Sequence, residues 1–373
     1  MFARENGSPV SAKVVEDVDW IYGQLIEQCD EFFRLSLSVP YEEDSVATYV
    51  KNAFETKLRR LPNEDARIRR MVLNQRLLGE ALIAGASTMH DVSLSQVGSF
   101  EELPGVHHII PGGFEKVVDI LRKDIPEEKF LMNHVVSGIA YDREGVQVTC
   151  RNGYTCQVDH AVCTIPLGCL KDLHQRLFQP SLPIEKIEAL NRIGYGVVNK
   201  VVLEFDERIL PTGVTRLELI WDHERPMTHL VPQLWARKIP YFEAITDTVL
   251  IGWLCGEEAE MLEELDENEI GNTCETVLKA FLNRSCLPKR LRVFCSKWKK
   301  NSFSKGAYCY LPPGSSVDDI NCLSEPLGPP DKPRVLFAGE ATHKVYYSSS
   351  HGALLSGERE AERLIGLYEP IAQ

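Results

Sequence analysis

The stretch from Val335 to Tyr368, VLFAGEATHKVYYSSSHGALLSGEREAERLIGLY, constrains the fold more than any other part of the chain. Val335-Leu336-Phe337-Ala338 predicts a buried strand that stops at Gly339, with an acid, Glu340, directly after it. A polar connection follows, and then a helix that opens in Ser348-Ser349-Ser350, whose hydroxyls can cap the free N–H groups of the first turn. Leu354, Ala361, Leu364 and Tyr368 recur at helical spacing, while Gly352, Ala353, Ser356 and Gly357 form a small-residue patch at the start. A helix N-terminus without bulky side chains offers its N–H groups and the positive end of its dipole to a ligand. Strand, glycine, carboxylate and small-residue helix therefore fit a large, partly anionic cofactor lying across a sheet edge. They equally describe an ordinary strand–helix unit in which Gly357 permits close packing.

The rest of the chain can be read around that unit. At 373 residues it is long for one domain and comfortable for two. A hydrophobic fraction of 44% and a charged fraction of 25% describe a globular chain, with no apolar run long enough to span a bilayer. A net charge of -13 argues against nucleic acid as a partner. The eleven cysteines have no CxxC spacing and the ten histidines no HExxH pair, so reduced thiols and no metal are expected. Met1–Pro9 does not read as a secretory signal, and Ile371-Ala372-Gln373 is not a peroxisomal tripeptide. A cytoplasmic or nuclear location is the expectation.

Three helices are predicted first, over Val14–Arg34, Ser45–Arg60 and Asp65–Ala86, the arginines of the third reading as a solvated face. A helix is expected from Phe114 to Leu121. Three strand-like runs follow, Lys129–Tyr141, Val146–Arg151 and, past Asn152-Gly153, one through Val158 to Ile165. Beyond Ser181 come a helix to Arg192 and strands at Val197–Phe205, Leu217–Trp221, Val249–Cys255 and Arg292–Trp298. Helices are expected at Glu257–Leu265 and Glu267–Leu282. Lys200, amid valines in the Val197–Phe205 run, is ordinarily an edge or solvent-facing residue.

GEATH, a short gap and YSSSHGALLSGEREAERLI resemble the C-terminal flavin-binding motif of the amine oxidase family, and more narrowly the animal spermine and polyamine oxidases. The resemblance runs from about Val14 to Tyr368 and is close in HDVSLSQVGSFEELPGVHHIIPGGF, SLPIEKIEALNRIGYGVVNKVVLEF and GWLCGEEAEML. It implies a mixed α/β (α+β) fold in two discontinuous domains. A substrate domain would comprise residues 1–102 and 180–297, and an FAD domain residues 103–179 and 298–373. Family members also carry a G-x-G-x-x-G in a β-α-β unit. No such motif follows a strand in this chain, so the resemblance places that unit before Met1 and leaves the FAD domain incomplete.

The resemblance also assigns roles. Gly339, Glu340, Ser349, Gly352 and Ala353 would meet the FAD, Val136 its adenine, and Trp298 and Tyr308 would wall the flavin face. Lys200 would be catalytic, holding a water against the flavin; burial would lower the pKa of such an amine and suit it to proton transfer. Asp91, Ser348 and Ser349 would contact the substrate amines, while Ser99 stands where a second acid is expected. Losing that carboxylate removes a charge-assisted contact of roughly 1.5–3 kcal/mol. The implied activity is oxidation of a polyamine (spermine, spermidine or an acetylated form) by FAD and O2. The alternatives are a non-catalytic remnant that keeps binding surfaces and the histone-demethylating branch of the same superfamily.

Overall fold

A computed structural model describes residues 1–40, 44–105 and 109–368. The Val106-His107-His108 part of the motif quoted above and the Ile371-Ala372-Gln373 terminus lie outside them. A short strand β1 (Phe2–Arg4) precedes three helices, α1 (Ala12–Arg34), α2 (Val46–Leu58) and α3 (Asn63–Ala84). Ser45 caps α2 by accepting a hydrogen bond from the Thr48 N–H, and α3 ends at Gly85 in the left-handed conformation. The arginines of α3 are not merely a solvated face. Arg69 reaches Asp17 on α1 at 2.8 Å, Arg70 reaches Glu55 on α2 at 2.6 Å, and Arg76 reaches Asp19 at 2.6 Å. Each such partly exposed pair contributes about 0–1 kcal/mol, but together they fix the helices in register.

Next comes a short helix α4 (Glu115–Arg122), none of whose residues is buried. The meander follows as β2 (Val136–Tyr141), β3 (Val146–Cys150) and β4 (Thr155–Val158), with the first expected strand shortened to its second half. The third expected strand is two. It breaks at Asp159-His160, and β5 (Ala161–Cys163) leaves the meander to pair in parallel with a strand far along the chain, Val335–Phe337. The break is stapled by Arg334, only 1% exposed, whose guanidinium donates to the carbonyls of Asp159 and Arg143. Helix α5 (Leu167–Leu177), strand β6 (Phe178–Gln179), helix α6 (Ile184–Arg192) and strand β7 (Gly194–Tyr195) complete this region.

Strands β8 (Val198–Phe205), β9 (Arg216–Ile220), β10 (Tyr241–Ala244) and β11 (Val249–Cys255) follow, then helices α7 (Glu257–Leu262) and α8 (Glu267–Leu282) and strand β12 (Arg290–Cys295). With β1 these strands form a six-stranded sheet in the order β1-β9-β10-β11-β8-β12, antiparallel except for the β1–β9 pair. Alternation sorts its faces. Val201, Leu203 and Phe205 of β8 pack on α8, whereas Val198 faces the layer of α1, α2 and α3. Lys200 shares the parity of Val198 and lies opposite Trp253 across the β8–β11 pair.

The last elements are β13 (Cys309–Tyr310), α9 (Val317–Ser324), β14 (Val335–Phe337) and α10 (Ser350–Tyr368). A third core forms here from Ile139, Val146, Leu170, Phe178, Leu190 and Phe337, to name its larger members. Helix α10 buries Gly352, Ser356 and Glu360, not the apolar stripe: Leu354 and Tyr368 are 43% and 64% exposed. Small side chains explain the choice. A Cβ on Gly352 would strike the Tyr346 carbonyl, and Ser356 Oγ sits between the N–H (2.8 Å) and carbonyl (3.2 Å) of Gly339. The helix thus docks on Gly339 by polar contact. All eleven cysteines are free thiols.

Candidate active site

The expected site residues largely converge. Lys200, Trp298, Tyr308, Gly339, Glu340 and Ala353, from five separate stretches of chain, line one cavity of about 620 Å³. That volume lies in the usual range for small-molecule sites.

Gly339, two residues past β14, has φ +140, a conformation that side-chain-bearing residues avoid. A Cβ placed on it would meet no protein atom within 4 Å, so the room beside this glycine belongs to the cavity. Glu340 is anchored by two backbone donors, Cys309 N–H at 3.2 Å and Ser348 N–H at 3.0 Å, both on Oε2. Burial raises the Glu340 pKa, and the bonds from Cys309 and Ser348 oppose that shift. Burial and the Glu340 carboxylate together push up the Tyr195 hydroxyl and the Cys309 thiol.

The opposite wall is aromatic. Lys200 is exposed, with its ammonium 4.5 Å from the Trp253 ring centroid. The burial expected for this lysine is therefore not present. Trp298 is 44% exposed at the cavity, which rules out its reading as an ordinary core residue. The Tyr308 hydroxyl donates to the Leu82 carbonyl at 2.5 Å, tying this wall to the end of α3. Its ring occupies the space a Cβ on Gly85 would need. The indole N–H of Trp253 has no hydrogen-bond partner among the described residues.

Other expected residues lie behind the wall or away from it. Ser349 caps α10, accepting from the Gly352 N–H at 3.0 Å and donating to the Tyr346 carbonyl at 2.6 Å. Ser348, at φ +65, turns its hydroxyl to the Cys309 carbonyl and its N–H to Glu340. Both serines serve the backbone that shapes the cavity; neither side chain lines it. Asp91 closes a turn by accepting from the Thr88 N–H (3.0 Å) and hydroxyl (3.1 Å). Val136 starts β2, outside the cavity. Ser99 is buried, its hydroxyl 3.2 Å from that of Tyr347.

Sequence reading missed Tyr195, Trp253 and Thr164. Trp253 becomes visible only through the register that sets it opposite Lys200, and register is not written in a single strand.

An open glycine just past a strand, a backbone-anchored carboxylate and aromatic side chains thus meet in one cavity. The family model described as flavin containing amine oxidoreductase matches residues 25–365. The chain belongs to that family, and its cofactor is FAD. It is 31% identical to the peroxisomal N(1)-acetyl-spermine/spermidine oxidase of Bos taurus, over 99% of this chain and 76% of that protein. It is 32% identical to polyamine oxidase 1 of Oryza sativa subsp. japonica, over 76% of this chain and 61% of the relative. Lysine-specific histone demethylase 1 homolog 1 of Arabidopsis thaliana is 30% identical, over 96% of this chain and 41% of the demethylase.

Proposed function

We propose that this amine oxidoreductase oxidises a secondary amine of a polyamine and takes N-acetylated forms in preference to free spermine. One observation carries the preference. Among the residues lining the cavity the sole carboxylate is Glu340, at the end where the cofactor belongs, while the remaining wall is largely apolar and aromatic. Such a lining suits a methylene chain carrying few charges. A fully protonated spermine would leave ammonium groups desolvated without anionic partners.

In this reading Gly339 and Ala353 would leave room for the flavin cofactor, and the Glu340 carboxylate would help to hold it. Bound FAD supplies the two-electron oxidation of amine to imine and passes the electrons to O2, giving hydrogen peroxide; water then cleaves the imine to an aldehyde and a shorter amine. Trp298 and Tyr308 exclude bulk water from the reacting carbon. Lys200, held over Trp253, would position a water at the cavity. Residues 1–102 and 180–297 supply the substrate side, and residues 103–179 and 298–373 the cofactor side.

The test is a peroxide assay of flavin-loaded protein with N1-acetylspermine, spermine and spermidine. The acetylated substrate should show the highest kcat/KM, by about tenfold or more for each charge-assisted contact that spermine lacks. Spermine turning over equally well would overturn the preference. The demethylase relative supports a second reading, and a dimethyl-lysine peptide in the same assay decides it.

A further inference from the structure

A second cavity, of about 310 Å³, lies between α2, α3, the segment Ser87–His90 and the turn Leu234–Lys238. It shares no lining residue with the first. Its walls are apolar where Ala47, Leu77, Leu78, Ala81 and Met89 face it. Its polar lining joins the neutral Asn74, Ser87 and Thr88 to four basic side chains, Lys51, His90, His223 and Lys238, which converge from four separate segments. In a chain of net charge -13 such a convergence opposes the general field.

The nearby carboxylates are already committed. Glu258 lies 3.5 Å from Lys238, Asp91 accepts from Thr88, and Asp222 pairs with Arg67 and caps a turn through the N–H groups of Glu224 and Arg225. Lys51 has no carboxylate within ion-pair distance among the described residues. Its ammonium donates to His90 Nε2 at 3.1 Å, while His90 Nδ1 meets the Thr48 hydroxyl at 3.2 Å. Lys51 is half-buried and the two imidazoles are exposed at the cavity mouth; partial desolvation, with the neighbouring cations next, holds the pKa values of all three below their ordinary values. Lys238 thus has a counter-charge in Glu258, whereas Lys51 has none among the described residues, and a bound anion would supply one.

We propose that this cavity is a binding site for a small amphipathic carboxylate, its anionic head among Lys51, His90, His223 and Lys238 and its aliphatic body on the Leu77–Ala81 face. The volume falls at the lower end of the range for ligand sites. The same lining repels an ammonium group, so the cavity is not a second polyamine site. The inference is independent of which amine the enzyme oxidises.

The experiment uses the full chain with FAD present and octanoate as probe, followed by calorimetry and by the imidazole proton resonances of His90 and His223. Octanoate should bind with 1:1 stoichiometry and shift both imidazoles, whereas octylammonium should shift neither. Lys51→Gln and Lys238→Gln should each weaken octanoate about tenfold or more. Melting curves show which variants stay folded, and either folded variant suffices. Octanoate that fails to bind, that binds the folded variants with unchanged affinity, or that is matched by octanol overturns the proposal.

Discussion

Glu340 is tied to the fold through one oxygen, and the proposed cofactor role can be separated from that tie. Oε2 satisfies the N–H groups of Cys309 and Ser348, so removing the carboxyl group orphans two backbone donors. Each buried unsatisfied donor costs about 1–3 kcal/mol. Glu340→Ala should therefore lower the melting temperature and the flavin content together. Glu340→Gln keeps one oxygen acceptor; it should melt close to the parent yet retain less flavin, read as flavin absorbance per chain after dialysis. Equal flavin in the Gln variant would leave Glu340 a purely structural acid. Glu340 stood out in the sequence because the glycine before it and the serines after it lie within one loop, but its second backbone donor, Cys309, lies 31 residues away and was not legible. The sequence did not place Lys51, His90, His223 and Lys238 together, since nothing in four segments of sequence marks their convergence.

At the scale of elements, α9 ends in an unusual way. Its last carbonyls have no glycine cap; Lys186 on α6 supplies the donors, its ammonium reaching the carbonyls of Cys322 (2.6 Å), Leu323 (2.9 Å) and Glu325 (2.7 Å). The Phe337 ring lies 4.5 Å below the ammonium. Lys186 is 3% exposed, and burial lowers its pKa from 10.5 to about 8. An unfolded chain holds this proton up to about 10.5 and the folded chain releases it at about 8. Within that window the unfolded state binds more protons, so Lys186 adds stability as pH rises from 8 to 10.5, by about 3 kcal/mol in all. Denaturant unfolding of parent and Lys186→Met across this window should show the gap widening in favour of the parent. Taking the difference removes the buried thiols, which act in the opposite sense above their usual value of 9. A flat gap would mean that the lysine is not titrating there. Elements with strong period or capping, such as α1, α2 and β8, were legible. The β4–β5 break was not, because it depends on the distant Arg334, and α10 turned its stripe outward because Gly339 offered Ser356 a closer contact.

Across the whole molecule, three cores are unevenly distributed over the chain. The six-stranded sheet is packed on both faces, whereas the stretch from Glu115 to Met132 has Val118, Ile120, Leu121, Ile125, Leu131 and Met132 each at least 48% exposed. Local stability follows packing, so the sheet should open only with global unfolding and this stretch far sooner. An eight-residue helix cannot hold itself by propensity. Backbone amides of α4 should thus exchange with deuterium at rates near those of an unstructured peptide, while those of β8 and β11 stay protected for the lifetime of the native state. Trypsin, supplied with Lys116, Arg122, Lys123 and Lys129 in that same stretch, should nick the chain there first and leave two fragments that remain associated through the cores on either side.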